Sequence, residues 1–114
     1  MAFDKELVKG TLPLLVLQLV AEGDTYGYEL IKAIQDRTDG AFTFAEGTLY
    51  PVLHGLERDR LVSSYWDASG GARRRKYYQI TPGGRTALAS RASEWSAFMA
   101  AVGRIVGGES RGRA

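Results

Sequence analysis

Cysteine is absent from this 114-residue chain, and histidine occurs only once, as His54. Without cysteine there is no disulfide scaffold, no thiol nucleophile and no cysteine-based zinc site. A single histidine beside carboxylates is a poor ligand set for zinc or iron, so we expect no metal and no cofactor. No Ser-His-Asp spacing or carboxylate pair stands out either. We therefore predict no catalytic residues and a protein that is not an enzyme.

Long hydrophobic segments are also missing. The longest apolar run, Leu12 to Ala21, is interrupted by Pro13 and Gln18 and is too short to cross a bilayer. The first nine residues carry acidic side chains and lack the pattern of a signal peptide. These features predict a cytoplasmic protein with no membrane partner. The length fits one domain, or one domain plus a docking element.

Positive charge is scarce in the first half of the chain and concentrated in the second. Residues 1–57 carry four basic and nine acidic side chains, a net charge of −5, whereas residues 58–114 carry eleven and four, a net charge of +7. A basic half is typical of a protein that binds a polyanion. The alternative is a basic surface that is merely solvated.

The first predicted helix is strongly apolar. Thr11 is expected to cap it, Pro13 to lie in its first turn, and Gly23 to end it. The polar residues 1–9 before it are expected to be loosely ordered.

Two further helices follow from the apolar spacing. The second is predicted from a Thr25 cap to about Thr38. The third has a buried stripe and an opposite face that stays free. The stripe comprises Leu49, Val52, Leu53 and Leu56, and the free face comprises Gly47, Pro51, His54 and Arg58, with Tyr50 on one flank and Thr48 and Gly55 on the other.

A β-hairpin is predicted after the third helix. Its strands are residues 61–67 and 73–80, joined by a glycine-containing turn at residues 68–72. Four consecutive cations, Arg73, Arg74, Arg75 and Lys76, follow the turn. We expect Trp66 to pack against the body of the hairpin, and Tyr77 and Tyr78 to point to opposite faces of the sheet.

The last helix is predicted over residues 81–106, with Thr81 as its cap and Pro82 in its first turn. The tail at 107–114 is expected to be disordered. The apolar residues of the helix alternate at spacings of four and three, which is the pattern of a dimerisation seam. They are Leu88, Ala92, Trp95, Met99, Val102 and Val106. The alternative is that the helix folds back on its own domain.

Three helices followed by a hairpin is the order of a winged helix-turn-helix. We therefore predict a mainly α fold with a small β-hairpin: a DNA-binding domain at residues 1–80 and a C-terminal dimerisation helix at 81–106. In such a domain the third helix enters the major groove and the hairpin, or wing, grips the flanking backbone. The candidate DNA contacts are Thr48, Tyr50, Pro51, His54, Arg58, Arg73, Arg74, Arg75, Lys76 and Tyr77.

Two longer motifs carry a specific resemblance. The segment 47–57, GTLYPVLHGLE, and the segment 71–78, GARRRKYY, which leads into the TPGGR of 81–85, resemble the PadR-type transcriptional regulators. The shorter matches GTL at 10–12 and YGYEL at 26–30 extend the resemblance to roughly residues 8–106. One departure is Gly55, where the family often has a basic residue, and this shifts phosphate binding toward the wing.

The resemblance implies a dimeric repressor of a palindromic DNA operator. The single C-terminal helix is similar to the compact subgroup, several of whose members bind flat aromatic or cationic drugs between two protomers. Trp95 matches the tryptophan that stacks on those ligands, so the resemblance implies that a small planar ligand binds here and releases the DNA. The candidate ligand residues are Trp95, Ala92, Met99, Leu15, Gln18, Leu19 and Phe98. The alternatives are that Trp95 is simply core, and that the chain is a winged-helix protein-interaction module without sequence-specific DNA binding.

Overall fold

The computed structural model describes residues 3–68 and 74–107 of the chain. Within these residues the elements are α1 Lys5–Glu22, β1 Thr25–Tyr26, α2 Gly27–Arg37, α3 Glu46–Arg58, β2 Val62–Asp67, β3 Arg75–Ile80 and α4 Pro82–Ile105. The strands form one antiparallel sheet in the order β1-β3-β2. The predicted fold class is confirmed: the chain is mainly helical, with the winged-helix arrangement followed by a long final helix.

A single hydrophobic core holds α1, α2, α3 and the sheet together. The apolar stripe predicted on α3 points into it, with Leu49 and Leu53 fully buried and Val52 partly buried. The other buried apolar side chains are Leu12, Val16, Leu17, Val20, Leu30, Ile34, Leu56, Val62 and Tyr78. Each fully buried leucine contributes about 2 kcal/mol through the area that it removes from water, so α3 is fixed firmly on the body of the domain.

The predicted start of α1 was wrong. The helix begins at Lys5, where the Asp4 side chain accepts a hydrogen bond from the Glu6 backbone N–H at 3.3 Å. Thr11 is therefore inside the helix, and its hydroxyl donates to the Val8 carbonyl oxygen at 2.9 Å instead of capping. Pro13 also lies within the helix. Gly23 ends it, as predicted.

The predicted start of α2 was also wrong, because Thr25 and Tyr26 form a strand. They pair with Tyr78 and Tyr77 of β3, which makes the sheet three-stranded where a two-stranded hairpin had been predicted. The helix begins only at Gly27. Pairing with β3 satisfies backbone groups that a longer helix would have satisfied internally.

The hairpin and α4 lie close to their predicted positions. The first described residue of β3 is Arg75, whereas residues 69–73, which include Arg73 and all of the predicted turn except Ala68, lie outside the described residues. Thr81 caps α4, since its hydroxyl oxygen accepts from the Gly84 N–H at 2.9 Å. The predicted tail lies outside the described residues, apart from Gly107. The division into residues 1–80 and 81–106 stays a prediction.

Among the described residues, no helix combines the length and the apolar character that a bilayer crossing would need.

Candidate nucleic-acid interface

The outer face of α3 is a row of exposed side chains. Thr48, Pro51, His54 and Arg58 are all exposed, as their spacing around the helix requires. The Arg58 guanidinium lies beside Gly55, with Nη2 3.5 Å from where a Cβ on that glycine would be. The row offers a hydroxyl, an imidazole and a cation on one surface, which are groups that can meet base edges and phosphates.

Tyr50 lies differently from the rest of this set. It is partly buried between α2 and α3, where a Cβ on Gly27 would come within 2.6 Å of its hydroxyl oxygen. The absent side chain of Gly27 therefore makes room for the tyrosine ring. The Tyr50 ring centroid is 6.3 Å from that of His54, so the tyrosine ring lies next to the exposed row. Its contact with DNA stays a prediction.

Glu57 connects α3 to the wing. Its carboxylate accepts a hydrogen bond from the Ser64 hydroxyl at 2.6 Å and lies 3.9 Å from the Lys76 ammonium. Both ion-pair partners are about two-thirds shielded, so solvent screens this contact less than a surface pair. The three side chains link the sheet to α3. Lys76, a candidate DNA contact, is thus engaged within the protein.

Two wing arginines lie against aromatic rings. The guanidinium carbon of Arg74 is 5.1 Å from the ring centroid of Trp66, and that of Arg75 is 4.8 Å from the ring centroid of Tyr26. Both arginines remain exposed. The expectation that Trp66 packs against the body of the wing was wrong, because 57% of its surface is accessible. Arg73 lies outside the described residues.

The sheet face that points away from α3 carries a row of three tyrosines, one of which is the Tyr26 that contacts Arg75. The Tyr77 ring lies between Tyr26, at a centroid distance of 5.2 Å, and Tyr65, at 5.7 Å. The Tyr65 hydroxyl donates to the Asp24 carboxylate at 2.7 Å, which ties β2 to the segment between α1 and β1. Tyr78 points the other way and is buried, as the alternation predicted. The sequence reasoning missed the roles of Tyr26, Tyr65 and Asp24. The alternation of β2 could have paired Tyr65 with Tyr77.

The Asp24 contact predicts a measurable titration. The hydrogen bond to Asp24, with smaller contributions from partial burial and nearby negative charge, raises the pKa of Tyr65 to about 12 from its usual 10. The folded chain then keeps a proton between pH 10 and 12 that the unfolded chain loses, so stability falls as pH rises through this window. For Tyr65→Phe we expect the free energy of unfolding, measured by chemical denaturation at several pH values, to decrease less between pH 10 and 12. The ultraviolet titration of this variant should lack one phenol that ionises at high pH in the wild type.

Tyr78 supplies the comparison for that experiment. Burial raises its pKa as well, and its hydroxyl has no hydrogen-bond partner among the described residues. Tyr78→Phe should therefore also remove a late phenol but, unlike Tyr65→Phe, leave stability at neutral pH unchanged or slightly higher. Identical titrations of wild type and Tyr65→Phe would contradict the assignment.

The apolar residues of α4 differ in their exposure along the helix. Leu88 is partly buried against the core, whereas the later seam residues are exposed. The accessible surface is 44% for Trp95, 46% for Met99, 37% for Val102 and 77% for Val106. Phe98 and Ile105 extend this row, which the described part of the chain leaves open.

A groove of about 510 Å³ lies between α1 and α4. Of the predicted ligand residues, Trp95, Phe98 and Met99 line it, together with Leu7, Thr11 and Leu14 of α1. Leu15 and Leu19 pack against the core instead, and the Gln18 amide donates to Glu22 at 2.9 Å. Neither these three nor Ala92 lines the groove. Among the described residues there is no cluster of three side chains that could hold a metal ion.

Comparisons with known proteins agree with this geometry. The profile of the transcriptional regulator PadR-like family matches residues 16–90. A transcriptional regulator from Mycobacterium tuberculosis is 34% identical over 74% of this chain and 75% of its own. A transcriptional regulator from Clostridium thermocellum superposes with a TM-score of 0.84 at 31% identity, covering 92% of this chain and 99% of its own. A PadR family transcriptional regulator from Eggerthella lenta gives 0.78 at 37% identity, with 89% and 86% covered.

Proposed function

Because the chain belongs to the PadR-like family of transcriptional regulators, a family of regulators and not of enzymes, we propose that it represses transcription by binding a palindromic DNA operator as a homodimer. The observation that carries the proposal is the exposed row on α3 together with the exposed wing arginines Arg74 and Arg75. Their guanidinium groups lie over Trp66 and Tyr26, on opposite faces of the sheet. A regulator of this kind acts where the chromosome is, in the cytoplasm.

In this mode of binding α3 lies in the major groove. Thr48, His54 and Arg58 then face base edges and phosphates, while the buried stripe keeps the helix on the domain. The wing cations lie beside the groove and bind the backbone. Two copies related by a two-fold axis place their α3 helices about 34 Å apart, one turn of the duplex.

The test is fluorescence anisotropy with the DNA upstream of the protein's own gene. We expect binding that is tighter than to a random duplex of equal length and that weakens steeply as salt is raised. Equal, weak binding to both duplexes would contradict the proposal. It would favour the protein-interaction module, and protein partners would then be sought.

The dimer is proposed from the exposed row on α4. Phe98, Met99, Val102 and Ile105 form an apolar surface that the described part of its own domain does not cover. A helix of 24 residues is about 36 Å long, so α4 offers more apolar surface than the domain can bury. A second copy of α4 is the simplest partner, because a two-fold axis matches like residues to like.

Val102→Glu is expected to dissociate this dimer, because it places two carboxylates in an apolar seam. Sedimentation at micromolar concentration should give about twice the chain mass of 12.5 kDa for wild type and a single chain mass for the variant. Ser93→Glu introduces the same charge on the other side of α4 and should remain dimeric. A wild-type mass near 12.5 kDa would contradict the proposal.

The groove between α1 and α4 is proposed to bind a planar organic cation. Trp95, Phe98 and Met99 supply aromatic and polarisable walls. The lining also carries two carboxylates, Glu6 and Glu94, against one guanidinium, Arg91, so its net negative charge favours a cation. A ligand here would change the spacing of the two DNA-binding domains and shift the population away from the DNA-binding arrangement. Saturable quenching of tryptophan fluorescence that Trp95→Phe abolishes, with release of the DNA, is the expected result. No quenching by a panel of planar cations would contradict it.

A further inference from the structure

The fold does not explain why Trp66, a large aromatic side chain of the wing, is exposed. It lies at the next-to-last residue of β2, with 57% of its surface accessible. Leaving this much indole in water forgoes the stabilisation that burial would provide. A partner that covered the ring would recover this stabilisation.

The strand pairing shows which way Trp66 faces. It lies opposite Lys76 of β3, and cross-strand partners share one face of a sheet. The Lys76 ammonium contacts Glu57 of α3, so this is the face that looks toward α3. Tyr78, two residues further along the same face, is buried in the core. Trp66 thus stands on the helix side of the wing but beyond the part that the body covers.

Arg74 completes the surface. Its guanidinium carbon is 5.1 Å from the indole centroid, and it forms no ion pair within residues 3–68 and 74–107. Stacking on an indole restrains the long side chain and leaves the guanidinium N–H groups free to donate. The pair combines an apolar plane with a restrained cation.

We propose that Trp66 and Arg74 form a joint contact with duplex DNA on the helix side of the wing. The indole covers the apolar edge of a deoxyribose at the minor groove, and Arg74, held by the ring, donates to a neighbouring phosphate or to acceptors in that groove. Positive charge and orientation toward α3 favour DNA as the occupant. This inference rests on the DNA binding proposed above and adds to it Trp66 as a contact and as the residue that positions Arg74.

Fluorine NMR of the full chain labelled with 5-fluorotryptophan tests the contact directly. The chain has two tryptophans, and Trp66→Phe assigns their resonances. In the free protein the Trp66 resonance should shift between H2O and D2O, because the ring is exposed. With the upstream duplex bound, this solvent isotope shift should be largely lost for Trp66.

Substitutions test the partnership. We expect Trp66→Ala to weaken operator binding roughly five- to tenfold while the slope of affinity against salt stays the same. Arg74→Ala should also weaken binding and lower the slope by about one for each Arg74 that meets DNA. The two effects should overlap, so that the double variant binds at least about threefold better than the product of the single effects predicts. Trp66→Phe keeps a ring for Arg74 and should bind better than Trp66→Leu.

The control is Gln79→Ala on the other face of the sheet, which should leave affinity unchanged. Thermal unfolding of each variant checks that the wing still folds. A retained isotope shift in the bound state, or wild-type affinity for Trp66→Ala, would overturn this inference while leaving the proposed function intact. If the loss of affinity in the double variant equals the product of the two single losses, Trp66 does not position Arg74. If the wild type fails to distinguish the upstream duplex from a random one, both proposals fail together.

Discussion

Gly84→Ala is expected to destabilise the fold by at least about 3 kcal/mol and to lower the melting temperature by roughly 10 °C or more. Gly84 lies in the first turn of α4 and is buried. An added Cβ would overlap the carbonyl oxygen of Leu61 and come within 2.7 Å of the Ile80 Cγ1 atom. The Leu61 oxygen belongs to the backbone and already accepts a hydrogen bond from the Thr81 N–H at 3.1 Å, so it cannot yield without breaking that contact. Circular dichroism melts measure the effect.

The neighbouring glycine provides the control. A Cβ on Gly83 would meet the Thr81 hydroxyl oxygen at 3.7 Å and the Arg60 carbonyl oxygen at 3.8 Å, which are ordinary van der Waals distances. Gly83→Ala should therefore leave stability unchanged or raise it by up to about 1 kcal/mol, because alanine favours the helix. Equal melting temperatures for the two variants would show that the start of α4 does not pack against Leu61 and Ile80 as the structure has it.

This pair of glycines also shows where sequence reasoning stops. Gly83 and Gly84 are adjacent and identical, and both follow the helix-starting Thr81 and Pro82. The sequence predicted the cap correctly, since capping depends on neighbours along the chain. Which of the two glycines must lack a side chain depends on Leu61, whose position relative to α4 is a matter of tertiary packing.

An element that depends on neighbours along the chain was predicted correctly, whereas one that depends on residues distant in the sequence was not. The stripe on α3 was predictable because Leu49, Leu53 and Leu56 recur with the period of a helix. Strand β1 was not, because Thr25 and Tyr26 become a strand only through pairing with Tyr78 and Tyr77. The start of α1 was missed because Thr11 and Pro13 have the spacing of a helix cap and a first-turn proline, although Val8 continues the four-residue spacing of Leu12 and Val16.

For the candidate site, the sequence indicated faces but not distances. Alternation along β3 correctly predicted that Tyr77 and Tyr78 point to opposite faces, and helical spacing correctly predicted that His54 is exposed. Neither pattern could show that Trp66, on the same face as the buried Tyr78, lies past the covered part of the sheet. Nor could they show that Tyr50 fills the space beside Gly27. Both outcomes depend on how far one element reaches over another.

Reversing the charge of Arg74 and Arg75 together is expected to produce the largest loss of DNA binding. Arg74→Glu with Arg75→Glu should weaken binding to the upstream duplex by at least about a hundredfold and reduce its salt dependence. In the proposed binding mode both cations meet phosphates, and the two anions that replace them repel the duplex. The measurement is anisotropy at several salt concentrations, with circular dichroism to confirm folding, since Arg75 also leaves the Tyr26 ring.

A second double reversal separates local contact from overall charge. Lys32→Glu with Arg104→Glu changes the net charge of +2 by the same amount but lies on α2 and α4, away from the wing. Long-range attraction responds to total charge and is largely screened beyond about 8 Å at physiological salt, whereas contacts at the wing are not. At that salt the control should lose affinity only a few-fold. Equal losses for both double variants would mean that the basic half of the chain attracts DNA only as a diffuse charge, and that the stacked arginines have no specific place on the duplex.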